Sequence, residues 1–143
     1  IVGQPLIAII NTDRDFLEMI STFLQEEGYA TVILSESQEE FEVIKQCKPQ
    51  LVMIELLIHD PERGLMVLNK MRLDPQTAHI PVVIASTATQ LIRENEQHLR
   101  AKGCDILLKP FDLEELLTIV GKAVPPPSPA DSLGTSLSGK ERK

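Results

Sequence analysis

Five short aliphatic runs, each breaking off into polar residues, punctuate the chain: LIAII at 6–10, TVIL at 31–34, LVMIE at 51–55, IPVVIAS at 80–86 and ILL at 106–108. Unbroken apolar runs of this length read as strands buried on both faces, the pattern of a parallel sheet. Helical patterns lie between them. After the first run, Phe16, Leu17, Ile20, Phe23 and Leu24 share one face before Gly28 supplies a stop. Ser37 and Glu40 have the spacing of a capping box for a second helix through Cys47, which Lys48 and Pro49 end. The polar stretch HDPERG leads to a third helix over 64–73, and residues 89–101 form a fourth with Leu91, Ile92 and Leu99 on its stripe. Asp112 and Glu115 cap the last, which runs to about Val124. Strand–helix units in this order predict an α/β fold, an open parallel sheet covered by helices on both sides.

A chain of 143 residues suffices for one domain with a single sizeable core, here placed at 1–124. Residues 125–143, PPPSPADSLGTSLSGKERK, have almost nothing apolar to bury and read as a linker or tail. Aromatic residues make up only 3% of the chain, so the core must be aliphatic. The formal charge of −7 opposes nucleic-acid or anionic-membrane binding by this domain. Cys47 and Cys104 lie far apart without metal-site spacing, which suits a reduced environment and small apolar fillers. Neither a membrane-length apolar run nor a signal pattern is present, and the expected location is cytoplasmic. The acidic group Glu39, Glu40 and Glu42 reads as a solvated helix face. His59, His79 and His98 have no ligand or nucleophile at useful spacing. Without a glycine-rich phosphate loop or a nucleophile–histidine order, an independent enzyme is not expected.

In an open parallel sheet, ligands gather at the carboxyl ends of the strands. Those ends supply Asn11, Thr12 and Asp13 after the first strand, Glu55 after the third, Ser86 and Thr87 after the fourth, and Lys109 with Pro110 after the fifth. Glu55 closes an otherwise aliphatic strand, so it must either surface into a polar cleft or find a partner.

The stretches LQEEGY, KPQLVMIEL, MRLDPQTAHIPVVIAST and LLKPFDLEELL, in this order over about 5–124, resemble a response regulator receiver domain. The resemblance implies a flavodoxin-like (βα)5 sandwich with sheet order 2-1-3-4-5. It also implies phosphoryl transfer from a histidine kinase to an aspartate ending the third strand. Magnesium would be held by acidic residues after the first strand, and a hydroxyl residue and a lysine would contact the phosphoryl oxygens. Ser86 and Lys109 match the last two roles, and the Lys109–Pro110 bond is expected to be cis. Three positions depart. Glu55 stands at the phosphoacceptor position, and Asn11 and Thr12 stand where the acidic pair belongs. Counting back from Gly28 leaves Asp13 just beyond that pair, as the cap of the first helix. The loop LLIHDPERG is one residue longer than usual, and Ile106 occupies the place of the switch aromatic.

Neutral Asn11 and Thr12 predict weak or absent magnesium binding, because a hard cation needs the charge of carboxylate oxygens. Three readings of Glu55 stay open. It pairs with Lys109 and fills the crevice, it extends a permanent negative group toward Ser86 and Lys109, or it accepts phosphate. The last is disfavoured, since its extra methylene displaces the carboxylate by about 1.5 Å, one C–C bond. The expected function is therefore a pseudo-receiver, a two-component signalling module acting by protein contact without phosphorylation. The alternative is a working phosphoacceptor domain that uses Glu55 or a nearby carboxylate such as Asp60. Expected partners are a histidine kinase, an output domain, or a second copy through 89–124, with Leu91, Ile92, Ile106 and Leu116 as candidate contacts.

Overall fold

The computed structural model describes residues 4–10, 13–34, 40–56 and 60–124. Its elements alternate as β1 (Leu6–Ile10), α1 (Arg14–Glu26), β2 (Ala30–Leu34), α2 (Glu40–Cys47), β3 (Leu51–Glu55), α3 (Pro61–Leu73), β4 (Val82–Ser86), α4 (Thr89–Ala101), β5 (Cys104–Leu108) and α5 (Leu113–Ala123). The strands form one sheet in the order β2-β1-β3-β4-β5, and every pairing is parallel. This is the flavodoxin-like architecture expected from the sequence. The putting together of two cores on one sheet follows from strand alternation. Ile7, Ile9, Leu51, Met53, Val83 and Leu107 face α1 and α5, where they meet Leu17, Ile20, Leu24, Leu116 and Val120. Ala8, Ile10, Val52, Ile54, Val82 and Ile84 face the other way, toward Ile44, Leu68, Met71, Ile92 and Leu99 of α2, α3 and α4.

Several boundaries differ from the sequence expectation. α3 begins at Pro61, not at Gly64, because a proline in the first turn is already set at a helical φ and has no N–H to satisfy. β4 starts at Val82, since Pro81 has no N–H and the Ile80 carbonyl accepts from Arg72 Nη1 at 2.8 Å. β5 reaches back to Cys104, paired in register with Val82, although Cys104 and Asp105 interrupt the apolar run. The Ser37 half of the expected capping box lies outside the described residues. At the other end, Asp112 and Glu115 form the reciprocal capping box on α5. Gly28 follows α1 with φ 100°, a backbone that only glycine adopts without strain. Tyr29 is buried, and its hydroxyl donates to the Val124 carbonyl at 2.8 Å, tying β2 to the end of α5. Of the expected contact residues, Ile92 and Leu116 belong to the core instead, whereas Leu91 and Ile106 are partly exposed.

Gly64 lets α3 lie directly on the end of β3. A Cβ there would stand 2.6 Å from Leu56 Cδ2 and 2.9 Å from Ile54 Cγ2. Gly64→Ala should therefore lower stability by about 1–3 kcal/mol, the overpacking cost outweighing alanine's better helix propensity. Urea denaturation measures it, and an unchanged or raised midpoint would refute the close approach.

Candidate functional site

Glu55 is the fifth residue of β3, and alternation after Met53 turns its side chain toward the α1/α5 layer. Lys109 is two residues beyond Leu107, which faces the same layer. The two meet there: Lys109 Nζ donates to Glu55 Oε2 at 2.8 Å, with the side chains only 13% and 12% exposed. The other carboxylate oxygen, Oε1, is buried and has no hydrogen-bond partner among the described residues. The Lys109 backbone N–H donates to the Ser86 carbonyl at 2.8 Å, which fixes the root of the lysine beside β4. The Lys109–Pro110 peptide bond is cis.

Ser86 is fully buried, and its hydroxyl is engaged away from this pair. It donates to the Leu56 carbonyl at 2.6 Å and accepts from the Ala88 N–H at 2.9 Å. Ala85, not Ser86, is the register neighbour of Glu55, and the next residue along a strand faces the opposite layer. The expected meeting of Glu55, Lys109 and the Ser86 hydroxyl is thus only half present. Asp13 caps α1, accepting from Phe16 N at 3.2 Å. Asn11 and Thr12 lie outside the described residues. Ile106 is partly buried on β5, against the α2/α3/α4 core.

Phe16 joins the site without a chemical motif to announce it. Lys109 Nζ sits 3.8 Å from its ring centroid, and Phe111 meets the ring edge-on at 6.0 Å and 81°. The available signal was positional, since Phe16 is the first apolar residue of α1 and so the one nearest the strand ends.

A second ion pair corrects the reading of Glu40. Glu40 is only 3% exposed, and Arg63 Nη2 donates to its Oε2 at 3.0 Å, joining the first turns of α2 and α3. Its helical spacing to buried Ile44 places both on the inward face, while Glu42 stays exposed. Burial raises the Glu40 pKa, and the adjacent Arg63 guanidinium opposes that rise without cancelling it.

Residues 7–121 match the response regulator receiver domain. The chain belongs to that family. It is 32% identical over 117 residues to the DNA-binding dual master transcriptional regulator RpaA of Synechocystis sp., a match covering 82% of this chain and 48% of that protein. It is 28% identical over 116 residues to the probable transcriptional regulatory protein TcrX of Mycobacterium tuberculosis, with coverage of 80% and 48%. The chain thus spans about half the length of these curated relatives. A response regulator receiver protein from Pseudomonas putida superposes with a TM-score of 0.71 at 25% identity, covering 85% of this chain and 99% of that one. The chemotaxis protein CheY4 of Vibrio cholerae has a TM-score of 0.73 at 19% identity, covering 85% and 100%, and shares the fold. The domain is accordingly a receiver domain of two-component signalling. Among the described residues, no helix is long and apolar enough to cross a membrane.

The Glu40 shift has a definite sign. An acid whose pKa is higher when folded makes the folded state bind more protons than the unfolded one, starting near its ordinary value of 4.5. Its contribution to stability falls as pH rises through that window. The stability difference, wild type minus Glu40→Gln, should therefore decline from pH 4 toward neutrality. Paired urea titrations across that range check it, and a difference that grows with pH would contradict the assignment.

Proposed function

We propose that this receiver domain signals by protein contact, without a phosphorylation cycle at Glu55. The observation that carries the reading is the 2.8 Å contact between Lys109 Nζ and Glu55 Oε2. The lysine expected to contact phosphoryl oxygens is already neutralised by a carboxylate at the phosphoacceptor position. Glu55 carries one charge where a phosphoryl group would bring roughly two, together with three acceptor oxygens. The Ser86 hydroxyl, bonded to the Leu56 carbonyl, gives no support to a permanent phosphoryl mimic, which would draw it toward Glu55. A filled, resting site accounts better for the geometry.

Magnesium, which the family implies, fits these residues poorly. Glu55 Oε2 receives an ammonium and Asp13 caps α1. Together with neutral Asn11 and Thr12, this supports weak magnesium binding. The partners we propose are a histidine kinase, an output-domain protein, or a second copy, in the cytoplasm. Their surface is 89–124, where Leu108 and Leu113 are exposed and Leu91 and Ile106 partly so. RpaA is described as DNA-binding; were an output segment of that kind joined here, it and not this domain would hold the DNA, because the net charge of −7 repels a polyanion.

Incubation with acetyl phosphate and magnesium, followed by intact-mass and peptide analysis, tests the reading. No added mass is expected, and mass located on Glu55 or Asp60 would establish the phosphoacceptor alternative. Glu55→Gln should cost about 1–3 kcal/mol, between the worth of a surface pair and the loss on breaking a buried one. Restoring the family pattern with Glu55→Asp, Asn11→Asp and Thr12→Asp together should bring back magnesium binding, read by calorimetry, and reactivity toward acetyl phosphate. A folded triple variant that stays inert would place the obstruction elsewhere in the site.

A further inference from the structure

We propose that Phe16 is a positioning residue for this charge pair, its ring holding the Lys109 ammonium on Glu55. The proposal rests on the reading of the site as a permanent pair. Among the described residues, Glu55 is the hydrogen-bond partner of Nζ, and it offers a single oxygen. With Oε1 unpartnered among the described residues, the hydrogen bonds seen there give the ammonium one point of attachment, about which it could swing. The ring 3.8 Å from Nζ supplies a second contact, one that favours a cation and needs no hydrogen. At 13% exposure the lysine side chain has given up most of its water, so attraction to the ring is stronger than at an open surface.

The ring is itself held from two directions. The Asp13 carboxylate accepts from the Phe16 backbone N–H at 3.2 Å, which sets the first turn of α1. Phe111, from the same loop as Lys109, presents its ring at 81° to that of Phe16, a favourable edge-to-face arrangement. The loop after β5 thus brings both the cation and the aromatic edge to one ring of α1. Three elements, α1, β3 and the β5–α5 loop, meet on a single ammonium.

Amine acetylation under native conditions, with each lysine followed by mass spectrometry, reads the position of Lys109 without any phosphodonor. In the wild type Lys109 should react far more slowly than exposed Lys70 and Lys122. Phe16→Leu keeps an apolar cover but removes the aromatic face, and it should raise the Lys109 rate roughly two- to thirty-fold, the range that cation–π attraction carries. Phe16→Tyr should preserve the slow rate, and Lys70 and Lys122 should be unchanged in both. If Phe16→Leu does not fold, Phe16→Met serves the same comparison. Adding Glu55→Gln should make the effects of the two substitutions on the Lys109 rate non-additive, since both act on one ammonium. An unchanged Lys109 rate in the folded Leu or Met variant would overturn the proposal. So would equal loss of protection in Phe16→Tyr and Phe16→Leu. Phosphoryl uptake at Glu55 would instead defeat the phosphorylation-independent reading, a result obtained from a separate reaction.

Discussion

A parallel strand buried on both faces has no polar side to offer, so a charge it carries must emerge at its end and find a partner there. β3 obeys this constraint. Its first four residues are buried in two opposed cores, and Glu55, the fifth, appears where the sheet stops. Several kcal/mol would be lost by leaving such a carboxylate dry and alone. The positions of Lys109, Phe16 and Phe111 can all be understood as answers to that demand, made on the α1/α5 side because alternation directs Glu55 there.

The same alternation separates two residues that the family brings together in function. Ser86 turns toward the α3/α4 layer, where the Leu56 carbonyl and the Ala88 N–H satisfy its hydroxyl. Releasing it toward Glu55 would leave a buried carbonyl and a buried N–H short of a partner, at about 1–3 kcal/mol for each unsatisfied group. A single carboxylate already neutralised by Lys109 offers little to offset that loss. Glu40 and Arg63 fasten the first turns of α2 and α3 on that side, and Gly64 seats α3 on β3. Two networks therefore stand at the strand ends, one on each face of the sheet.

The aliphatic runs made the sheet legible because both-face burial leaves a compositional mark that needs no knowledge of neighbours. The Asp112–Glu115 box and the Asp13 cap were equally plain, being interactions within one turn. Strand ends were less so: Cys104 and Asp105 join β5 through pairing with β4, a non-local fact. At the site, Glu55, Ser86 and Lys109 could be placed by their position after each strand, but which face each side chain takes depends on register. Phe16 was legible only as a member of a helix face, and Glu40 only as that and as half of a capping box with Ser37. That Phe16 sits over an ammonium and Glu40 under a guanidinium is decided by elements distant in sequence, Lys109 and Arg63 respectively.

Sheet order sets the reach that this pair requires. β4 lies between β3 and β5, so a side chain from the end of β5 must cross two strand spacings, about 9.6 Å, to reach the end of β3. An extended lysine spans roughly 6 Å from Cα to Nζ, judged from its bond lengths. The residue beneath this crossing is Ala85, in register with both Glu55 and Leu107, and its small side chain leaves the path open. Lys109 is anchored at its backbone to Ser86 and has little freedom to advance. The 2.8 Å hydrogen bond covers most of the remainder, and the Glu55 side chain, about 1.5 Å longer than an aspartate's by one C–C bond, supplies the rest with reach to spare. The pair therefore closes without strain on reach, and the extra methylene leaves the carboxylate room to settle against its lysine.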